Sequence, residues 1–241
     1  MAASENHQRL KDRIALVTGA SRGIGRAVAE AYAAEGAHVL LLARKQESLE
    51  PVDDAIRAKG GVASIIPLDL GSNKRVDALG PALYERFGHL DILVANAGVL
   101  GGLSPLAHTP DVNWDRTIGI NLNANWRLIR TLDPLLKRSD AGRCIFVTSH
   151  VAHSARAYWA PYSVSKAALE ALALTYANET AETPIKVNLL DPGAVATDMR
   201  AEAYPGEDPA SLKTAESLAE SFIKLAEPTW TETGQRLEAP L

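Results

Sequence analysis

Tyr162 and Lys166 lie four residues apart in a segment with helical periodicity, so their side chains share one helix face. A free phenol has a pKa of about 10 and is a poor base at neutral pH. An adjacent ammonium favours the phenolate and lowers that pKa towards the range that acid/base catalysis requires. Ser149 precedes the pair at the end of a predicted strand, where a serine is otherwise a common turn or cap residue. The three residues therefore indicate a proton-transfer site, provided that the fold brings Ser149 to the pair.

A glycine-rich turn, Gly19-Ala20-Ser21-Arg22-Gly23-Ile24-Gly25, joins a predicted strand to a predicted helix. Its glycines permit a tight turn and leave no Cβ between the helix N-terminus and an anion. Free N–H groups and the helix dipole attract negative charge there. The alternative is a turn that only lets the strand and the helix pack closely. Because the turn opens a βαβ unit, the pattern favours binding of a dinucleotide pyrophosphate.

The end of the next predicted strand indicates which dinucleotide would bind. An NAD site usually has a carboxylate there for the adenosine ribose hydroxyls, and this chain has Ala43 followed by Arg44. Arg44 and Arg22 together suit the 2′-phosphate of NADP(H), which guanidinium groups bind through paired hydrogen bonds. The alternative is that both are solvated surface arginines. Asp69, after the third strand, could accept a hydrogen bond from the adenine amino group or simply cap a helix.

The elements that must position these residues follow from hydrophobic patterning. Apolar runs rich in Leu and β-branched residues are typical of strands buried on both faces, and amphipathic stretches between them are typical of helices. The predicted strands are 13–18, 37–42, 62–67, 90–95, 143–148 and 185–190, with a further strand start near residue 234. The predicted helices are 22–35, 46–59, 74–87, 113–137, 161–178 and 211–226.

This alternation predicts an α/β fold with a single Rossmann-type doubly wound parallel sheet of about seven strands and helices on both faces. Residues 13–241 are expected to form one domain, preceded by a flexible tail over residues 1–12. A short substrate lid is expected at 199–212. In an open α/β sheet, ligands bind beyond the carboxyl ends of the strands, so the glycine turn, Ser149 and the Tyr162 helix should meet at one edge.

Composition excludes several other kinds of protein. The chain has 241 residues, of which 46% are hydrophobic and 22% charged, and a net charge of −4, so there is no basic excess for nucleic acid. The single cysteine, Cys144, rules out an internal disulfide and a cysteine metal cluster, and the spacing of His150 and His153 does not support a metal site. The polar first residues and the lack of a long apolar run predict a cytoplasmic protein without a membrane span.

Taken in order, these motifs resemble those of the classical short-chain dehydrogenase/reductase family, over residues 12–198. They are Thr18-Gly19-x-x-x-Gly23-x-Gly25, Asn96-Ala97-Gly98, Asn121, Ser149, Tyr162 with Lys166, and Pro192-Gly193-x-x-x-Thr197. Each motif alone could be accidental, whereas the ordered set is specific. The resemblance implies an NADP(H)-dependent oxidoreductase that transfers a hydride between the nicotinamide and a carbonyl or secondary alcohol substrate.

The resemblance also implies a role for each matching residue. Tyr162 would be the general acid in reduction and the base in oxidation, and Ser149 would stabilise the developing oxyanion. Lys166 would bind the nicotinamide ribose and tune Tyr162, while Asn121 would hold a water that relays protons, unless it only bends its helix. The positions expected at the cofactor are Gly19, Ser21, Arg22, Gly23, Ile24, Gly25, Arg44, Asp69, Leu70, Asn96, Ala97, Gly98, Tyr162, Lys166, Pro192, Gly193, Val195 and Thr197.

The short lid leaves substrate choice to a few side chains. A medium-sized, partly apolar carbonyl compound is expected, bounded by Leu100, Leu103, Val151, Trp159, Met199 and Tyr204. One alternative is a β-ketoacyl-carrier-protein reductase, with Lys137 and Arg138 attracting the acidic carrier protein. Another, of a different class, is a non-catalytic NADP(H)-binding regulatory protein.

The family resemblance further implies a homodimer or homotetramer assembled through the long helix and the Tyr162 helix. The residues that could supply apolar interface surface, or that could instead belong to the core, are Trp114, Trp126, Leu128, Ala168 and Leu172.

Overall fold

In a computed structural model, which describes residues 8–241, seven parallel strands form one sheet in the order β3-β2-β1-β4-β5-β6-β7. The strands are β1 Ile14–Thr18, β2 His38–Ala43, β3 Val62–Pro67, β4 Ile92–Ala95, β5 Arg143–Val147, β6 Lys186–Asp191 and β7 Arg236–Glu238. The prediction of a doubly wound parallel sheet is confirmed. The order reverses between β1 and β4, and their carboxyl ends flank the crevice in which such sheets bind ligands.

Ten α-helices connect or flank these strands in the described part of the chain. They are α1 Gly23–Ala34, α2 Glu50–Ala58, α3 Asn73–Asp77, α4 Leu79–Phe87, α5 Asp111–Ile118, α6 Ala124–Leu136, α7 Val151–Ser154, α8 Ala160–Glu179, α9 Asp198–Ala203 and α10 Ala219–Ala226. A π-helical segment, Gly119–Asn123, joins α5 to α6.

Three predicted helices differ from the observed ones. The expected helix 74–87 is divided into α3 and α4, because Pro81 has no N–H for the carbonyl of Asp77; the hydroxyl of Thr131 donates to that carbonyl instead, at 3.0 Å. The expected helix 46–59 becomes a 3₁₀ turn followed by α2, which has a proline in its first turn.

The expected helix 211–226 is wrong at its start, since α10 begins only at Ala219. Lys213 is extended, pairs with Val195 as an isolated parallel bridge, and donates from Nζ to the carbonyl of Ala239 at 2.9 Å. Pairing with a neighbouring segment therefore replaces the first helical turns.

Both faces of the sheet are buried, and alternate residues of a strand enter different clusters. Ala15 and Val17 of β1 pack with residues of α1 and α10, whereas Leu16 between them packs with residues of α6 and α8. This alternation explains why the central strands read as unbroken apolar runs.

The prediction of a flexible tail is wrong for residues 8–12, and residues 1–7 lie outside the described part. Leu10 is fully buried and its N–H donates to the carbonyl of Glu35 at 2.9 Å. Arg9 forms an ion pair with Glu220 at 2.8 Å. An apolar anchor and an ion pair thus hold this segment against α1 and α10.

The residues considered for an interface or for the core differ in exposure. Leu128 is fully buried and belongs to the core, whereas Trp114, Ala168 and Leu172 are half-buried. Trp126 is exposed, with the guanidinium groups of Arg127 and Arg130 over its ring. No helix among residues 8–241 combines the length and the apolar character that crossing a membrane requires.

Candidate active site

The glycine turn lies between β1 and α1, at the carboxyl edge of the sheet. Gly19 and Gly23 have φ angles of +69° and +54°, which favour glycine, and a Cβ on Gly25 would lie only 2.3 Å from the carbonyl oxygen of Gly19. Arg22 caps α1 without a side-chain hydrogen bond to it, which leaves the first N–H groups of the helix for an anion. Ser21 is half-buried in the turn, and Ile24 packs on the core below it.

Asn96 and Ala97 join the ends of β1 and β4. The Nδ2 of Asn96 donates to the carbonyl of Thr18 at 2.9 Å, and the backbone N–H groups of Asn96 and Ala97 both donate to the Thr18 hydroxyl at 3.0 Å. Asn96 also lies beside Gly19. The Asn96-Ala97-Gly98 motif therefore fixes the glycine turn against the central strand through Thr18, the first residue of the glycine motif.

A cleft of about 620 Å³ opens next to this turn, lined by Arg44, Asp69, Gly71, Val112, Asp115, Arg116, Gly119 and Ile120. The sequence-predicted Arg44 and Asp69 thus share one cavity, and Asp69 accepts a hydrogen bond from the N–H of Gly71 at 2.9 Å. Arg116 places a second guanidinium in the cleft from α5, and no sequence signal distinguished it from a solvated helix residue. The side chain of Leu70 is buried in the core, which leaves only its backbone for a ligand.

The segment that follows β6, residues 192–197, lies at the same carboxyl edge of the sheet. Gly193, with a φ of +68°, donates its N–H to the carboxylate of Asp191 at 2.8 Å; Pro192 is buried, and Val195 is held by its bridge to Lys213. The hydroxyl of Thr197 accepts from the N–H of Arg200 and caps α9, and its methyl group faces Gly23. The N-terminus of α9, directly before the segment expected to form the lid, therefore lies against the glycine turn.

The predicted catalytic residues meet at the end of β5. The hydroxyl of Ser149 lies near enough to the phenol of Tyr162 to influence its pKa, and the Nζ of Lys166 lies 5.6 Å from the centre of the Tyr162 ring. The ammonium of Lys166 donates to the carbonyl of Val147 at 2.7 Å. Both Tyr162 and Lys166 are buried.

The pKa of Tyr162 is set chiefly by burial in this structure. Burial raises the pKa of Tyr162, the charge of Asp191 adds to that rise, and the nearby hydroxyl of Ser149 opposes it. Burial also lowers the pKa of Lys166 to about 8, although Asp191 and Glu170 favour its ammonium form. The phenol is therefore held as a proton donor at neutral pH.

Asn121 lies in the π-helical segment, where its side chain is fully bonded. Its Oδ1 accepts from the N–H of Val99 at 2.9 Å, and its Nδ2 donates to the carbonyl of Val99 and to the hydroxyl of Ser165. The Nδ2 of Asn125 donates to the carbonyl of Asn121 at 2.8 Å. Gly98 lies between Asn121 and the ammonium of Lys166. A Cβ added to Gly98 would be 3.3 Å from the Oδ1 of Asn121 and 3.8 Å from the Nζ of Lys166.

An apolar cluster covers Tyr162 on the lid side. It contains Leu100, Val151, Trp159 and Tyr162, with Met199, Ala203 and Tyr204 packed against it. Of the residues expected to bound the substrate, only Leu103 is absent from the cluster, and its side chain is exposed. The rings of Trp159 and Tyr162 are 6.1 Å apart, and Arg156 and Arg200 stack on Tyr204.

Of the two histidines near Ser149, His150 is exposed, and the Nε2 of His153 lies 2.5 Å from the Oε2 of Glu170. Neither takes part in a cluster of three or more His, Cys, Asp or Glu side chains among residues 8–241.

Known proteins share both the sequence and the fold. The family model described as short chain dehydrogenase matches residues 13–208. The uncharacterized oxidoreductase YciK of Escherichia coli K12 is 36% identical over 234 residues, which cover 95% of this chain and 92% of that protein.

Two solved structures cover nearly the whole chain. A short-chain dehydrogenase from Pseudomonas syringae superposes with a TM-score of 0.94 at 40% identity, covering 100% of this chain and 99% of that one. A short-chain dehydrogenase from Shigella flexneri 2a, complexed with NADP, superposes with a TM-score of 0.93 at 37% identity, covering 97% and 99%. The sequence match, the shared sheet and the geometry at its carboxyl edge agree: this chain is an oxidoreductase of the short-chain dehydrogenase/reductase family.

Proposed function

We propose that this chain is an NADP(H)-dependent reductase of carbonyl compounds, which also oxidises the corresponding secondary alcohols. The observation that carries the proposal is the group formed by Ser149 and the buried Tyr162 and Lys166, which lies at the same sheet edge as the glycine turn. NADPH, when bound, supplies the hydride that reduces the carbonyl carbon.

The residues of this chain supply the proton and hold the reacting oxygen. Tyr162 donates its phenolic proton to the carbonyl oxygen, and Ser149 donates a hydrogen bond that stabilises the negative charge developing there. Lys166 would hold the nicotinamide ribose, and its ammonium would stabilise the phenolate left on Tyr162. A water on the carbonyl of Asn121 returns the proton from solvent through Lys166. The products are the alcohol and NADP⁺.

The local structure fits a dinucleotide with a 2′-phosphate. The glycine turn would hold the pyrophosphate, since a Cβ at Gly25 would fill the cradle and the N-terminus of α1 has no side-chain cap. Arg44 borders the adjacent cleft and Arg22 lies in the turn, with no carboxylate at the end of β2 to bind the ribose hydroxyls of NAD. The structural relative from Shigella flexneri is complexed with NADP, which supports the same choice.

The cluster over Tyr162 supports a substrate with an apolar, aromatic-sized body beside its carbonyl. We place the chain in the cytoplasm, acting on small molecules as a homodimer or homotetramer. Neither nucleic acid nor membrane is expected as a partner.

The structure does not favour carrier-protein docking at the end of α6. Lys137 pairs with Asp133 at 2.8 Å, and Arg138 donates to the carbonyl of Gly88 and stacks on Tyr84. These intramolecular partners account for both cations.

The test is consumption of NADPH by the purified chain with a panel of aryl and alkyl ketones and of β-keto thioesters. Reduction of the ketones at a higher kcat/KM than the thioesters is the expected result. Preference for the thioesters would favour the β-ketoacyl reductase. Tight NADPH binding without any turnover would favour a non-catalytic regulatory protein.

A further inference from the structure

A buried carboxylate outside the family motifs lies next to the catalytic group. Glu170 follows Lys166 by four residues on α8, and it is only 5% exposed. Burying a carboxylate is costly unless charged or hydrogen-bonding partners surround it. Its Oε1 accepts from the hydroxyl of Thr148 and from the Nε of Arg236, and its Oε2 pairs with the Nε2 of His153.

Two of these partners lie on either side of Ser149 in the chain. Thr148 directly precedes Ser149 and is buried, whereas His153 lies in the short helix α7 that follows. The two oxygens of one carboxylate therefore hold both ends of the segment that carries the Ser149 hydroxyl.

The same helix also holds the strand that leads into this segment. Lys166 donates to the carbonyl of Val147, the last residue of β5. Between Val147 and α7 the backbone belongs to neither strand nor helix. Its N–H at Thr148 donates to the carbonyl of Leu190 at 2.9 Å and the carbonyl of Ser149 accepts from Ala152 at 3.0 Å, but neither bond orients the Ser149 side chain. A catalytic hydroxyl must be held within about 0.5 Å of its productive position, which requires such side-chain support.

We propose that Glu170 is a positioning residue for the reaction, which fixes the hydroxyl of Ser149 against Tyr162 by binding Thr148 and His153. The inference rests on the proposed function. We call the contacts of Glu170 with Thr148 and His153 the Glu170 clamp. Arg236 of β7 also donates to the Glu170 carboxylate, so the clamp connects the Ser149 segment to the edge strand of the sheet.

The first experiment is Glu170→Gln, which keeps the size of the side chain and removes its charge. We expect kcat for ketone reduction to fall about tenfold while the Kd for NADPH stays unchanged, because the glycine turn is not involved. Glu179→Gln is the matched control, since Glu179 is exposed on the same helix, and it should retain wild-type kcat. An unchanged kcat in Glu170→Gln overturns the inference.

A double-mutant cycle with Ser149→Ala separates positioning from other effects. If Glu170 acts through Ser149, adding Glu170→Gln to Ser149→Ala leaves the residual kcat unchanged. A further tenfold loss in the Ser149→Ala background would assign the effect to Lys166 or to general stability, and would overturn the inference.

His153→Ala tests the clamp without changing a buried residue, because the His153 side chain is half-exposed. We expect kcat to fall by a few-fold with the same non-additivity in the Ser149→Ala background, and this variant decides the question if Glu170→Gln does not fold. Activity of the wild-type chain separates the two proposals. An active wild type with unaffected variants refutes the clamp alone, whereas an inactive wild type refutes both.

Discussion

Arg22 in the glycine turn forms an ion pair with Asp198, the first residue of the lid helix α9. Both side chains are largely exposed, at 74% and 70%. An exposed pair of this kind contributes about 0–1 kcal/mol, so a phosphate can displace the carboxylate at little cost. A stronger anion at Arg22 would therefore separate α9 from the glycine turn.

Removing the carboxylate should strengthen NADPH binding. In Asp198→Asn, Arg22 no longer has a competing acid, and we expect the Kd for NADPH to fall by a few-fold while the Kd for NADH stays the same. Titration of the cofactor fluorescence measures both constants. Equal changes for the two cofactors would show that the ion pair does not compete with the 2′-phosphate.

Removing the cations should have the opposite effect. Arg22→Ala and Arg44→Ala should each raise the Kd for NADPH about tenfold and leave that for NADH nearly unchanged, because only NADPH carries the 2′-phosphate. Lys74→Ala, which removes an exposed cation of α3, is the control. If a variant with both substitutions binds NADH and NADPH with equally weakened affinity, the two arginines are not ligands of the 2′-phosphate.

Tyr162→Phe should lower kcat by about 10²–10⁴-fold, because the proton donor is lost while the ring stays in place. The Kd for NADPH should change little. Tyr84→Phe, at a half-exposed tyrosine of α4, should have normal activity. Substantial turnover by Tyr162→Phe would require another group to protonate the substrate.

The rate of reduction should decrease in alkaline solution. Since burial lowers the pKa of Lys166 to about 8, its ammonium is present below that pH and is lost as the pH rises through it. The phenol of Tyr162, whose pKa is raised, stays protonated over this range. We expect kcat/KM to be constant at neutral pH and to fall about tenfold per unit above the pKa of Lys166. A low, pH-independent rate in Lys166→Met would assign the alkaline decrease to this residue.

Trp159→Ala should raise the KM for aryl ketones about tenfold, with a smaller effect on short alkyl ketones, because an aromatic contact beside Tyr162 is lost. Comparison of acetophenone with 2-butanone measures the difference. Trp126→Ala, on the exposed face of α6, is the control for loss of a tryptophan. An equal effect on both ketones would place the substrate body elsewhere.

The strands could be predicted from the sequence almost to the residue, since a strand buried on both faces is an unbroken apolar run. The breaks in the helices are only partly predictable. Pro81 is a local signal for the division between α3 and α4, whereas the bond from Thr131 to the carbonyl of Asp77 joins residues distant in the chain. The π-helical segment has no such local signal, and its Asn121 is bonded to Val99, again far along the chain.

The same limit applies to the site. Motifs placed Ser149, Tyr162 and the glycine turn at one sheet edge, but the pKa of Tyr162 depends on its burial, which a neighbouring lysine in the sequence does not reveal. Arg116 and Glu170 read as ordinary charged helix residues until the fold places one in the cleft and the other beneath Ser149.

The π-helical segment Gly119–Asn123 contains one residue more than a regular helical turn needs. Deleting Asn121 would let the segment close as an ordinary α-helix, with α6 keeping its orientation relative to α5. The contacts of the Asn121 side chain with Val99 and Ser165 would be lost, and with them the group that lies beside Gly98. A single-residue deletion here would therefore disturb the sheet edge that carries Lys166 more than it would disturb the helix.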